Sequence, residues 1–232
     1  MASISISATD GSGSFDAYLA EPSKRPAGAV VLIQEIFGIN ASMRATADQV
    51  AELGFFVLAP DLFWRQEPNV DITDKSQQEW DKAFALMKGF DHEKGMADLK
   101  ATLAAARRLP GANGKAGTMG YCLGGMLAFR MAIESDADVN VSYYGVGLDT
   151  FIGGLDTVRA PLVIHIADND EFFPPEGRAA VLAAAKGRPN VHAYVYPGAG
   201  HAFARVGGIH WDARSAWIAN GRSAEALAAA LD

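Results

Sequence analysis

Cys122 is the only cysteine of this 232-residue chain, and it stands in Gly120-Tyr121-Cys122-Leu123-Gly124-Gly125. A thiol flanked by glycines, between a short strand and a helix, is placed to act as a nucleophile. Such a turn is tight, its central residue is strained, and a Cβ on its flanks would meet neighbouring backbone. The partial positive charge at the N-terminus of the following helix favours thiolate over thiol. Displacement at an acyl carbon also needs a base for the thiol proton, an acid that orients the base, and two backbone N–H groups for the developing oxyanion.

The base is sought among five histidines. His165 lies inside an apolar run and reads as a packed residue, while His92, His192 and His210 read as structural or solvated. His201 differs, because it follows a strand in the flexible loop Pro197-Gly198-Ala199-Gly200-His201. With the acid expected between nucleophile and histidine, Asp168, Asp170 and Glu171 compete. Asp170 is preferred, Asp168 is the reserve and Glu171 comes third; a spare acid there can serve an Asx-turn or a helix start. The oxyanion donors are expected to be the N–H groups of Leu123 and of Ile36, the latter in the loop Gln34-Glu35-Ile36-Phe37-Gly38. Glu35 is an ionisable group at the end of an apolar run, so it either has a shifted pKa or pairs with a cation. Arg205 is a candidate for that cation.

The elements that must carry these residues follow from periodicity. Ile4–Ala8 and Phe15–Ala20 alternate around Thr9-Asp10-Gly11-Ser12-Gly13 and read as a hairpin. Strands are expected at 29–34, 55–59, 115–119, 139–144, 162–167 and 191–196. Helices are expected at 43–53, 74–88, 92–108, 126–133, 175–186 and 211–231. Alternating strands and helices imply a single α/β domain over 1–232, with a mostly parallel central sheet and helices on both faces. Ligands in such sheets bind beyond the C-terminal strand ends, where Cys122, Asp170 and His201 all fall.

Composition narrows the function classes. Half the residues are apolar, a fifth are charged, and the net charge is −7. No basic run interleaved with aromatics points to nucleic acid. One cysteine allows neither an internal disulfide nor a thiolate metal cluster. The N-terminal residues alternate like an edge strand rather than a secretory leader, and no apolar run is long enough to span a bilayer. A cytoplasmic monomer acting on a small molecule, with no metal, cofactor, nucleic-acid or membrane partner, is the expectation.

Four motifs in order along nearly the whole chain resemble the dienelactone hydrolase (carboxymethylenebutenolidase) family. They are Gln34 to Gly38, Gly120 to Gly125, Tyr143-Tyr144-Gly145-Val146-Gly147, and Ala199-Gly200-His201-Ala202-Phe203-Ala204-Arg205. The resemblance implies an α/β-hydrolase fold, a Cys122–His201–Asp170 triad, and opening of a carboxylate-bearing enol lactone in catechol or chlorocatechol breakdown. It further implies that Glu35 helps activate the thiol once substrate shifts its arginine partner. Arg205 would hold the substrate carboxylate, and Tyr144 and Phe37 would line the pocket.

One helix departs from the family pattern. Trp80 falls where a second substrate-binding arginine is expected, Phe84 where a tyrosine is, and Met87 where a tryptophan is. An indole cannot replace a bidentate arginine–carboxylate contact, so a more apolar pocket lined by Trp80 and Phe84 is expected. A general carboxylesterase using the same triad is the alternative. A non-catalytic sensor using Cys122 as a reactive thiol is a third reading, but it would need no oxyanion loop.

Overall fold

The structure, a computed structural model, describes residues 2–232. They fall into two compact units, divided between Ala116 and Gly117. No described helix is long and apolar enough to cross a membrane.

The first unit opens with the expected hairpin, β1 (Ser3–Ser7) antiparallel to β2 (Ser14–Ala20). Strand β3 (Ala27–Ile33) pairs in parallel with β4 (Phe56–Pro60), and β4 pairs antiparallel with β2, giving the order β1-β2-β4-β3. Every residue of β3 is buried, so it reads as a continuous apolar run rather than an alternating one. Helix α1 (Ala41–Glu52) is capped by Asn40, whose Oδ1 accepts the Met43 N–H at 3.0 Å, and packs on β4. Helix α3 (His92–Ala106), capped by Asp91, packs on β3 and β4.

Helix α2 (Gln77–Lys88) begins three residues later than periodicity suggests. Ser76 Oγ accepts the Glu79 N–H at 3.3 Å, while the Glu79 carboxylate takes the Ser76 hydroxyl and the Thr73 N–H, both at 2.8 Å. Two groups bridging the first turn in this way fix where the helix starts.

Strand β5 (Ala112–Tyr121) runs across the division, and from Gly117 onward it, β6 (Asn140–Tyr143), β7 (Leu162–Asn169) and β8 (Val191–Gly200) are parallel neighbours in that order. Helix α4 (Leu123–Glu134) is buried on almost every side and packs on β6 and β7. Helix α5 (Pro175–Ala185) packs on β8, and α6 (Ala213–Leu231) packs on β7. Strands β5, β7 and β8 run beyond their expected ends, β5 at both ends, β7 to Asn169 and β8 through Pro197-Gly198-Ala199-Gly200. A 3₁₀ segment at Leu148–Thr157 was not anticipated.

The first unit also holds a buried charge. Asp98, 1% exposed, accepts two guanidinium bonds from Arg65 (2.8 and 3.1 Å) and the Trp64 indole N–H at 2.9 Å. Removing the carboxylate would leave three N–H donors of the half-buried Arg65 and Trp64 without it. Asp98→Ala is therefore expected to cost about 3 kcal/mol, the low end for a broken buried pair, because Arg65 keeps Asp10 as a second partner. Thermal melting followed by circular dichroism should show a fall of roughly 6–12 °C.

Candidate active site

Cys122 sits between β5 and α4 with φ 56° and ψ −115°, a conformation rarely adopted by a residue with a Cβ. Its N–H donates to the Tyr143 carbonyl at 3.0 Å, and its own carbonyl accepts the Met126 N–H at 3.1 Å, opening the helix. A Cβ on Gly125 would lie 2.3 Å from that same Tyr143 oxygen. Gly125 is thus what lets β6 come up against the elbow. The helix starts at Leu123, directly after the cysteine and ahead of the expected Met126. First-turn N–H groups have no acceptor within their own helix, and the Leu123 N–H is one of them.

The same parallel ladder brings acid and base together. Strands β7 and β8 pair in regular register to Ala167↔Tyr196, then shift, so that Asn169 faces Gly200. The next residue on each strand is Asp170 and His201, and His201 Nδ1 lies 2.9 Å from Asp170 Oδ2. Both side chains are buried. The other Asp170 oxygen accepts the Phe172 N–H at 2.9 Å, and Arg178 donates to the Asp170 carbonyl at 3.2 Å. Of the competing acids, Asp168 is exposed and only accepts a long bond from Gly198 N–H (3.4 Å), and Glu171 is exposed.

His201 also hydrogen-bonds Cys122. Burial alone would push its pKa down. A negative charge on Cys122 and the hydrogen bond that His201 donates to Asp170 outweigh that, and carry it up to about 10. The folded value lies above the ordinary 6.5, so the imidazolium contributes its full stabilisation below about pH 6.5 and loses it as pH rises through 10.

Tyr144 has φ 36°, donates its N–H to the His165 carbonyl at 2.8 Å, and sets its ring edge-on to His201 (5.2 Å) and to Phe203 (5.4 Å). Phe172, 39% exposed, also packs its ring against His201 at 4.9 Å. Ala202, next to His201, has φ 62°. Cys122, Tyr144 and Ala202 are three of the four non-glycine residues with positive φ among the described residues. Backbone strain concentrates where function does. Arg205 is buried in the loop beyond His201, its N–H bound to the Ala202 carbonyl at 3.0 Å.

In the first unit, Gln34, Glu35, Ile36 and Phe37 are all buried after β3. Gln34 braces this loop, accepting the Leu62 N–H at 3.0 Å and donating to the Glu35 carbonyl at 3.3 Å. Gly38 closes it at φ 76°, where a Cβ would lie 1.9 Å from the Val70 carbonyl oxygen. Three of the four aromatics expected to line a pocket cluster together: Trp80 stands edge-on to Phe37 (4.9 Å) and packs against Phe84 (5.4 Å). The indole N–H of Trp80 donates to the Asp74 carbonyl at 3.0 Å.

Sequence reasoning passed over Gln34, Phe172 and Phe203. For Gln34 the available signal was a polar residue within an otherwise apolar run. For the two phenylalanines it was adjacency to Asp170 and His201. Among the described residues, no group of three or more His, Cys, Asp or Glu side chains is placed to share a metal ion.

The profile of the dienelactone hydrolase family matches residues 15–231. This chain belongs to the dienelactone hydrolase family. A protein of Azospirillum brasilense, provisionally named carboxymethylenebutenolidase, is 51% identical over 97% of this chain and 96% of its own length. The carboxymethylenebutenolidase of Pseudomonas putida is 38% identical over 97% and 95%. Among solved structures, a dienelactone hydrolase-like promiscuous phosphotriesterase from metagenomic libraries aligns with TM-score 0.82 at 19% identity, covering 100% of this chain and 99% of that one. The dienelactone hydrolase of Anabaena variabilis aligns with TM-score 0.68 at 17% identity, covering 100% and 99%. The fold is that of the α/β-hydrolases, and this dienelactone hydrolase family member is a hydrolase of ester or lactone bonds.

Because a charge on Cys122 helps hold the His201 proton, Cys122→Ala should drop the His201 titration midpoint well below 10, toward the value burial favours. Imidazole titration by ¹H–¹⁵N NMR reads this directly. An unchanged midpoint would show that Cys122 does not govern His201.

Proposed function

We propose that this protein opens an enol-lactone ring of the dienelactone type through Cys122, His201 and Asp170, in the breakdown of ring-cleaved catechols or chlorocatechols. The observation that carries this reading is the hydrogen-bonded row Cys122–His201–Asp170, built on a strained elbow at φ 56°. A buried acid that fixes the imidazole leaves its other face to the thiol, as nucleophilic catalysis requires.

On this reading the Cys122 sulfur attacks the lactone carbonyl, and the oxygen of the tetrahedral adduct takes hydrogen bonds from the N–H groups of Leu123 and Ile36. The ring C–O bond breaks as the carbonyl re-forms. The leaving enolate takes its proton from His201, giving a thioester on Cys122. His201 then draws a proton from water, the hydroxide adds to the thioester, the carboxylic acid product leaves and gives its proton to solvent, and the Cys122 thiolate recovers its proton from Glu35. An enolate is a good leaving group, which suits a thiol nucleophile. Glu35 is assigned to removal of the thiol proton at the start. Arg205 is assigned to the substrate carboxylate, with Tyr144, Phe37, Trp80 and Phe84 lining the pocket.

Cys122→Ala should lower hydrolysis of a dienelactone by about 10³-fold or more, measured by loss of the diene absorbance. Turnover at the wild-type rate would refute the mechanism. The aromatic cluster around Trp80 gives a second expectation. Trp80→Arg should raise kcat/KM for a carboxylate-bearing lactone about tenfold or more relative to a neutral ester, the scale of one charge-assisted hydrogen bond. A wild type that strongly prefers neutral esters would instead mark a general carboxylesterase.

A further inference from the structure

A second histidine is buried in the same unit, and the proposed reaction does not use it. His165 lies within β7, is fully buried, and is held on both ring nitrogens: Nδ1 is 2.7 Å from the Tyr196 hydroxyl and Nε2 is 2.9 Å from Ser223 Oγ. The protons can be placed by following the chain of donors. Arg222 donates to Tyr196 Oη at 3.1 Å, so the Tyr196 O–H is turned toward His165 Nδ1. Ser223 Oγ donates to the Ala219 carbonyl at 3.0 Å, so it receives a proton from His165 Nε2. His165 is therefore a neutral imidazole carrying its hydrogen on Nε2. Burial and, after it, the charge of Arg222 push its pKa down to about 3, in agreement.

The row continues toward the nucleophile. Ser223 Oγ is 2.7 Å from the Tyr143 hydroxyl, whose single hydrogen goes either to Ser223 Oγ or to Asn220 Oδ1 at 2.9 Å, and Tyr143 also shares a hydrogen bond with Tyr121. The Tyr121 and Tyr143 rings stack at 4.5 Å. Tyr121 immediately precedes Cys122, and the Tyr143 carbonyl is the acceptor of the Cys122 N–H. At the other end, the His165 carbonyl accepts the Tyr144 N–H, and Tyr196 packs on Phe203 at 4.8 Å, which packs on Tyr144 beside His201. The two ends of this buried polar row thus reach both members of the nucleophile–base pair.

We propose that His165 is a positioning residue, which through Ser223 and Tyr143 on one side and Tyr196 on the other sets the separation and orientation of Cys122 and His201. A neutral two-sided imidazole suits the task, since it accepts from one neighbour and donates to the other. Apolar residues of the same volume would fill the space but leave two buried hydroxyls unanswered. A displacement of about 1 Å at the reacting atoms is worth as much as 10²-fold in rate.

The proposal rests on the triad reading for its kinetic consequence but not for its structural one, so the test has two arms. His165→Phe removes both hydrogen bonds, and His165→Gln restores an acceptor and a donor. On dienelactone, His165→Phe should lower kcat about tenfold or more with KM within about twofold, and His165→Gln should recover most of that loss. Without substrate, the His201 imidazole resonances should move in His165→Phe and return in His165→Gln. A merely stabilising histidine would lower the melting temperature and leave kcat and the His201 resonances at wild-type values, which would overturn the proposal. If His165→Phe does not fold, Tyr196→Phe takes its place, and unmoved His201 resonances there overturn it as well. If the wild type does not open dienelactone, the substrate reading fails, while the resonances still decide the role of His165.

Discussion

A residue bearing a Cβ is held at φ 56° in the turn at Cys122, and the surroundings must enforce that conformation against a cost of about 1–3 kcal/mol. Three features enforce it. The Cys122 N–H is taken by Tyr143, its carbonyl begins helix α4, and Gly125 leaves no side chain between that helix and strand β6. The ladder that receives Cys122 then repeats one strand over, where Tyr144 leaves β6 and donates to His165. It repeats again at the ends of β7 and β8, where Asn169 faces Gly200 and the next two residues become an acid–base pair. Chemically competent residues far apart in sequence are thus delivered by one device, a parallel sheet whose neighbouring strands end in step.

Two buried histidines of the second unit show how their surroundings push one residue type in opposite directions. Burial and, after it, the charge of Arg222 drive the pKa of His165 down to about 3. His201 faces a carboxylate and a thiol, and its pKa is raised to about 10 despite similar burial. Between those values one ring is neutral and the other charged. Environments that push like groups apart in this way separate a scaffold residue from one that handles protons. The linkage signs are opposite too. His165 contributes stability above pH 6.5 that is lost as pH falls toward 3, and His201 contributes below pH 6.5 what is lost as pH rises through 10.

Much of this was legible because hydrophobic period and turn chemistry are local. The continuous run of β3, the hairpin at β1 and β2, and the glycine-flanked Cys122 each declare themselves within a dozen residues. What escaped was non-local or masked by composition. Strand β8 continues through Pro197 to Gly200, residues that read as loop but are held by pairing with β7. The sequence already favours Asp170 over Asp168, but the register shift between Ala167 and Asn169 that sets Asp170 beside His201 is announced by no pattern. The start of α2 could have been read from Ser76 and Glu79, a pair of residues spaced for reciprocal capping. The row from Tyr121 to Arg222 could not, because its members are drawn from four strands and a helix, and only the folded register makes them neighbours.

On the proposed assignment, the aromatic cluster of the first unit would bear on specificity through hydrogen-bond accounting rather than shape. An indole has one donor and no acceptor. In Trp80 that donor is already committed to the Asp74 carbonyl, 3.0 Å away, so the side chain has nothing left with which to bind a carboxylate. What it presents, together with Phe37 and Phe84, is aromatic surface. On the proposed assignment, recognition of a substrate carboxylate then rests on Arg205, and the aromatic cluster discriminates by area and contact. Apolar contact is worth only about 1–3 kcal/mol per methylene-sized difference, whereas an unmatched charge costs far more. A site with this division of labour would tolerate variation in the apolar body of its substrate and be strict about its single charge.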